Sequence, residues 1–148
     1  MNAWYTGHTM ACRSTADVML LQEPRIAEED QCRREEDAAK RLGWQARLNP
    51  AKHTENGGIS AGVAIMVKKH IGMRYDEEIV EKQHRARISC AWTGTGRKGG
   101  LHVISIYLWT SEGLSDRNKE LLKEAERITE LFKGPWIMGG DFNMTPKS

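Results

Sequence analysis

Gly134-Pro135-Trp136-Ile137-Met138-Gly139-Gly140-Asp141-Phe142-Asn143-Met144-Thr145-Pro146 is the stretch whose reading decides the fold. Gly134 and Pro135 break what precedes them, and the apolar run from Trp136 to Met138 predicts a short buried strand. Gly139 and Gly140 let the backbone turn or approach a neighbour closely. Asp141 and Asn143 stand two positions apart, so on an extended backbone they point the same way. A carboxylate beside a carboxamide at the end of a buried strand is costly to desolvate unless a partner, a metal or a substrate meets it. Two readings stand side by side here: a functional site, or a turn, in which Asp and Asn are common.

Outward from this stretch, residues 115–133 predict the strongest helix. Ser115 or Asp116 caps it, and Leu121, Leu122, Ala125, Ile128, Leu131 and Phe132 recur at three and four to give one apolar face. Before it, residues 87–92 alternate as a half-buried strand and residues 101–109 form its antiparallel partner across a Gly-rich turn. Gly94 and Gly96 in that turn have a Gly-x-Gly spacing, but no helix follows, so a phosphate-binding glycine loop is rejected. Residues 62–68 and 17–24 are apolar runs without alternation, which predicts central strands covered on both faces. Glu23 ends the second of these and Pro24 closes it; the acid is either a site residue or a plain surface charge.

Residues 26–42 predict a surface helix, with acids at its start and Lys40 and Arg41 at its end. Residues 44–48 alternate as a strand, and residues 49–60, with Asn56-Gly57-Gly58, predict a flexible loop. Residues 70–83 are charged, with a short strand expected at 78–81. Residues 1–16 carry no period and predict an irregular entry segment, with a stub of helix around 9–13. Hairpin, helices and strands together make the chain mixed α/β.

Composition excludes little but is consistent with one domain: 148 residues, 39% hydrophobic, with 22 Lys and Arg against 20 Asp and Glu. Net charge alone therefore does not argue for nucleic acid. The local clusters Lys68-Lys69-His70, His84-Arg85-Ala86-Arg87 and Arg97-Lys98 read as solvated faces and add only slightly to a case for phosphate binding. Cys12, Cys32 and Cys90 share no metal-ligand spacing and read as free thiols of a reducing compartment. No His-x-x-x-His or Cys-x-x-Cys points to zinc. No apolar run spans a bilayer and no export signal opens the chain, so an intracellular place, nucleus or cytoplasm, is expected.

Leu21-Gln22-Glu23, Ser105-Ile106-Tyr107 and Gly140-Asp141-Phe142-Asn143, in that order, resemble the endonuclease/exonuclease/phosphatase superfamily. Its members include apurinic endonucleases, DNase I-like nucleases and the endonuclease domains of non-LTR retrotransposons. The run from Tyr107 through Arg117-Asn118 to Pro146 looks most like the retroelement branch, and the resemblance covers residues 17–146. It implies a DNase I-like four-layer α/β sandwich, two sheets face to face with the site at one edge. It also implies roles: Glu23 as ligand of Mg²⁺ or Mn²⁺, Asp141 as the base that orients and deprotonates water, and Asn143 as hydrogen-bond donor to the scissile phosphate. Tyr107 would stand beside that phosphate; without the motif it is equally a strand aromatic. DNA is the implied partner.

The resemblance further implies an Asn upstream of Glu23, where only Asn2 is available, and residues after Asn143 that include a closing Asp-His pair. No histidine follows His102. Residues 17–148 are therefore expected to form an incomplete, C-terminally truncated domain, weak or inactive alone, whose exposed apolar sheet face favours self-association. Two alternatives accompany the nuclease reading: a non-catalytic fragment that binds a partner through that face, and a phosphatase or phospholipid phosphodiesterase of the same superfamily.

Overall fold

Val63, Ala64, Ile65, Met66 and Val67 are each at 0% exposure in the computed structural model, which describes residues 15–95 and 98–143. They belong to β5 (Val63–Lys68), the central strand of a three-stranded sheet. β1 (Val18–Gln22) and β2 (Trp44–Asn49) flank it antiparallel, with Leu20 opposite Ile65 and Ala46 opposite Met66. Burying a side chain of the size of Val, Ile or Met contributes about 1.5–3 kcal/mol, so this run anchors the sheet. Its non-alternating sequence is explained, since both faces are covered. β1 has the same pattern but lies at the sheet's edge among the described residues, half-buried throughout. Its two faces are nonetheless both used: Met19 and Leu21 pack outward, Val18 and Leu20 inward.

α1 (Glu29–Arg41) covers the outer face of this sheet, burying Cys32 and Ala39 against Trp44, Ala46, Leu48, Ala64 and Met66. Gly43, at φ 88°, ends it in the left-handed region. The stretch 49–60 is less loop-like than expected. β3 (Lys52–His53) pairs with β4 (Ile59–Ser60) in a small hairpin.

The second sheet is four-stranded, in the order β6 (Met73–Tyr75), β7 (Ile88–Thr93), β8 (Leu101–Tyr107) and β9 (Trp136–Asp141). β7 and β8 form the antiparallel hairpin read from the sequence, with Ile88 opposite Ile106 and Thr93 opposite Leu101. β9 runs parallel to β8, which requires a crossover, and α2 (Asp116–Leu131) supplies it. Ser115 is the α2 cap, its Oγ accepting the Asn118 N–H at 3.3 Å. Ile88, Cys90, Ile104 and Ile106 face Leu121, Ala125 and Ile128 of α2. The alternate residues Ala91 and Val103 face Ile65 and Val67 of the first sheet. The layers therefore run α1, first sheet, second sheet, α2: the four-layer α/β sandwich implied by the resemblance.

Several expectations are corrected. No strand forms at 78–81; β6 comes earlier, and Glu77–Ile79 and Lys82–His84 are short 3-10 turns that drop Val80 into the α2 core. β7 is almost wholly buried rather than half-buried, because each of its faces meets a separate layer. β9 is not a buried strand: Trp136 and Ile137 are 46% and 54% exposed. Among the described residues it pairs only with β8, at the sheet's edge, and Met138 alone of its apolar run joins the α2 core. Both sheets are present and cover each other; the exposed large apolar side chains include Trp136 and Ile137 of β9 and Phe142 just after it, with Leu42, Ile59, Leu114 and Leu131 elsewhere in the chain. Cys32 and Cys90 are free and buried. Burial pushes their thiols up to about 11 and about 12. Cys12, Asn2, the helix stub at 9–13 and most of the entry segment lie outside the described residues, as do Arg97 and residues 144–148. No described helix is long and apolar enough to cross a membrane.

Candidate active site

The adjacent glycines of β9 serve close approach, not a turn. A Cβ on Gly139 would lie 2.8 Å from Leu20 Cδ1 of β1, and one on Gly140 would lie 2.0 Å from the Ile106 carbonyl oxygen of β8. Their bare backbone lets β9 press against both neighbours. A second tie joins the same elements. Gln22 Nε2 donates to Ser105 Oγ at 2.9 Å, and Ser105 Oγ donates to the Leu21 carbonyl at 3.4 Å. Ser105 in turn stands opposite Gly139. Glu23 follows Gln22 directly, and two residues beyond Ser105 and Gly139 lie Tyr107 and Asp141, which are themselves register partners. The two sheets thus bring the Glu23, Tyr107, Asp141 and Asn143 backbones to one edge of the sandwich.

Each of these residues is held by its backbone. Tyr107 is 6% exposed and packs with Ala61, Val63 and Ala86. Its N–H donates to the Arg87 carbonyl at 2.8 Å. Asp141 is exposed and ends β9; its Oδ1 accepts the Asn143 N–H at 2.9 Å. Asn143 has φ 46° and donates through Nδ2 to the Leu108 carbonyl at 2.7 Å. The pair is therefore not in extended backbone as first read. It forms an Asx-type turn at the strand's end, as the turn reading has it. Neither amide nor carboxylate is buried without a partner.

Glu23 has φ 58° and Arg25 has φ 56°, with buried Pro24 between them. The Glu23 N–H donates to the Gly62 carbonyl at 3.0 Å. Gly62 itself has no room for a side chain, since a Cβ there would lie 3.1 Å from Pro24 Cγ. Left-handed backbone at a non-glycine residue costs of order 1–3 kcal/mol and gathers at functional sites. Of the five such residues among the described ones, Glu23, Arg25 and Asn143 lie at this one edge. Arg25 Nε and Nη2 fork onto Glu23 Oε1 at 2.9 and 2.6 Å. That hydrogen bond and the charge of Glu23 hold the Arg25 guanidinium above its ordinary value, with a smaller contribution from Tyr107.

The donor chemistry fits a hard divalent cation. The Arg25 fork lands on Oε1 of Glu23 and not on Oε2, and Mg²⁺ ordinarily takes one or two carboxylates and fills its shell with water and substrate oxygens. A separate group, Glu81, His84 and Glu124, has donor atoms within 4.8 Å of one another. Its Glu124 is already engaged: Oε2 accepts the Glu81 N–H at 2.9 Å and Oε1 accepts Arg127 Nε at 2.5 Å. Burial opposes ionisation of Glu124, but these donors outweigh it and hold the carboxyl below its ordinary value. This group locks the 3-10 turns to α2. Glu23 is not a member of it.

Sequence reasoning missed Arg87, which it placed on a solvated face. Arg87 is only 7% exposed. Its Nη1 donates to the Tyr107 carbonyl at 3.3 Å and Nη2 to Ser60 Oγ at 3.5 Å. Its guanidinium lies 4.9 Å from the Tyr107 ring centre and 3.4 Å from that of Trp109. Burial lowers its pKa to about 10, so it stays charged at neutral pH. The available signal was position: Arg87 directly precedes the apolar strand starting at Ile88. Arg117 lies 3.6 Å from the Trp109 ring centre and forks onto Glu112. That hydrogen bond pulls the Glu112 carboxyl down to about 2. Asn118 is fully buried, its Oδ1 accepting the Trp109 N–H at 2.7 Å and its Nδ2 donating to the Trp109 and Gly113 carbonyls. The Arg117-Asn118 pair of the sequence motif thus fastens the loop after β8 to the start of α2.

A sequence profile described as the Endonuclease/Exonuclease/phosphatase family matches residues 8–148. Among solved structures, the chain is similar to the crystal structure of humanized D. rerio TDP2 by 14 mutations. The TM-score is 0.57 at 14% identity, covering 97% of this chain and 56% of that one. At that identity the likeness speaks for the fold, and the chain spans little more than half the length of that relative. No curated protein matches the chain by sequence.

Proposed function

The chain belongs to the endonuclease/exonuclease/phosphatase family, and from that premise we propose that it hydrolyses phosphodiester bonds of DNA as an endonuclease of the retroelement type. The observation that carries the reading is the register of Tyr107 opposite Asp141 at the edge where Glu23 follows the end of β1. Asp141 is exposed at the mouth of that edge, where it takes the proton of a water attacking phosphorus as the bond to the leaving oxygen breaks. Asn143, fixed in its turn by the Leu108 carbonyl, and the Tyr107 hydroxyl donate to the phosphoryl oxygens as charge builds there. Glu23 would hold the Mg²⁺ or Mn²⁺ ion, which when bound supplies positive charge to the same oxygens. The order of motifs through Arg117-Asn118 supports the retroelement branch.

Because the domain is read as incomplete, the expected result is weak Mg²⁺-dependent nicking of supercoiled plasmid, abolished by EDTA and by Asp141→Ala. Absence of nicking by the wild-type chain at any Mg²⁺ or Mn²⁺ concentration, or nicking that survives Asp141→Ala, would overturn the reading. The exposed apolar side chains of β9 favour a second role beside it, association through that edge, with a further copy of the chain or another partner.

A further inference from the structure

We propose that Glu81, His84 and Glu124 form a binding site for a divalent transition metal of the zinc class, outside the candidate active site and independent of the hydrolytic reading. One donor atom from each residue lies within 4.8 Å of the other two, across the contact between a turn and α2.

The local backbone explains how two of these donors come to face one point. Lys82–His84 is a 3-10 turn with Glu81 at its N-cap. Such a helix has three residues per turn, so side chains at i and i+3 eclipse. Glu81 and His84 stand at that spacing, and the His84 N–H closes the turn on the Glu81 carbonyl at 2.9 Å. A carboxylate and an imidazole are thereby stacked on one side of the turn. The third donor, Glu124, comes from α2 and is only 5% exposed. The Glu81 N–H donates to its Oε2 at 2.9 Å, which fixes how far the turn stands from the helix. The pattern hides from a sequence scan because its third member lies 43 positions beyond its first.

Glu124 is held in place before any ion arrives. Arg127 Nε donates to its Oε1 at 2.5 Å, and Arg127 Nη2 donates to the Ile79 carbonyl at 2.6 Å. One guanidinium thus ties the carboxylate to the neighbouring turn. An ionised carboxylate accepts at several lone-pair sites, so these hydrogen bonds leave it able to ligate. Outer donors of this kind are what orient a metal ligand.

A cleft of about 360 Å³ opens over the same three residues, and Glu120, one turn earlier on α2, also lines it. Three carboxylates there meet the two cations Lys123 and Arg127, a negative excess that a divalent ion would remove.

Donor type selects the ion. Mg²⁺ is met mainly by carboxylate, water and phosphate oxygens, whereas an imidazole beside two carboxylates suits zinc, cobalt and nickel. With water or Glu120 in the last position, the shell reaches the four-coordinate geometry that zinc prefers. An ion bound there would clamp the 3-10 turns to α2 and stabilise the fold by mass action.

The test is calorimetric titration of Zn²⁺ into the intact chain after EDTA and buffer exchange, with Co²⁺ absorption reporting coordination geometry. One tight equivalent of Zn²⁺ is expected, with tetrahedral Co²⁺ bands and a rise of several degrees in melting temperature. Glu81→Gln and His84→Ala are each expected to weaken Zn²⁺ binding about tenfold or more. Glu124 also holds the turn, so its variant could fail to fold; exposed Glu81 removes a ligand without that risk. His53→Ala, at an exposed histidine paired with Glu28, is expected to bind as wild type does. Wild-type affinity in either Glu81→Gln or His84→Ala would overturn the site. So would an absence of Zn²⁺ binding by the wild-type chain, or a loss of binding in His53→Ala alone.

Discussion

Tyr107 and Asp141 are direct partners across the parallel β8–β9 ladder, so their side chains leave the same side of the sheet on adjacent strands. Asp141 is exposed and packs no core. Asp141→Ala should therefore leave the melting temperature within a degree or two of wild type while lowering plasmid nicking by about three powers of ten. A large loss of stability in that variant would mean that the carboxylate holds the turn and not the water.

Arg25 forks onto Glu23 and would compete with any cation that the same carboxylate holds. Removing the fork in Arg25→Ala should free both carboxylate oxygens and lower the Mg²⁺ concentration for half-maximal nicking several-fold, whereas Glu23→Gln should raise it beyond tenfold. Magnesium titrations of the three proteins decide this. A higher Mg²⁺ demand in Arg25→Ala would instead make the fork a support that aims the carboxylate.

Gly140→Ala places a methyl group on the Ile106 carbonyl, a contact of 2.0 Å against backbone that cannot rotate away. Overpacking of this kind costs about 1–3 kcal/mol or more, and urea unfolding should register it. Gly139→Ala meets only the tip of Leu20 and should cost less. Equal losses in both variants would show that β9 can shift as a whole.

How much of this was legible beforehand differed by element. β5, the β7–β8 hairpin and α2 each carry their burial in their own periodicity, so the sequence exposes them. β1 and β9 do not, because an apolar run says that a strand has buried faces and nothing about whether its edges are paired. Trp136 and Ile137 were misjudged for that reason. Arg87 was misjudged because four neighbouring residues, His84 to Arg87, were read as one patch, whereas the chain enters a strand there and the last of them turns inward. Local reading made Glu23 and Asp141 separate candidates, but only the family motif joined them; no local rule brings residues from opposite ends of the chain to one edge.

The Glu112–Arg117 pair makes stability depend on acid. The Glu112 carboxyl titrates at about 2 in the folded chain against an ordinary 4.5. A depressed carboxyl contributes stability that is fully present above 4.5 and is lost as pH falls toward 2. Because the pair is open to solvent, its contribution should shrink with added salt. Glu112→Gln should flatten the stability curve in that acid window at low salt and leave it unchanged at neutral pH. Thermal melts from pH 5 to pH 2 check both statements; parallel curves would remove the pair from the account.

The apolar rim of β9 should show itself in solution. Ile137→Lys places a charge on an exposed edge strand, a change that opposes edge-to-edge pairing. Sedimentation velocity should find concentration-dependent association in the wild-type chain and a monomer in the variant. A wild-type monomer throughout would set the association role aside.

β8 and β9 are the one parallel pair among the described strands, and α2 lies between them in the chain. The first sheet and the β7–β8 hairpin can close through antiparallel neighbours alone, but β9 finds its place only after a helix has crossed over and docked. The two acids of the candidate centre thus meet only where the β1–β5 pairing and the α2 crossover are both in place. Chemistry at this edge would report on whether the halves are seated together, and a loosened molecule would fall silent well before its helices melted.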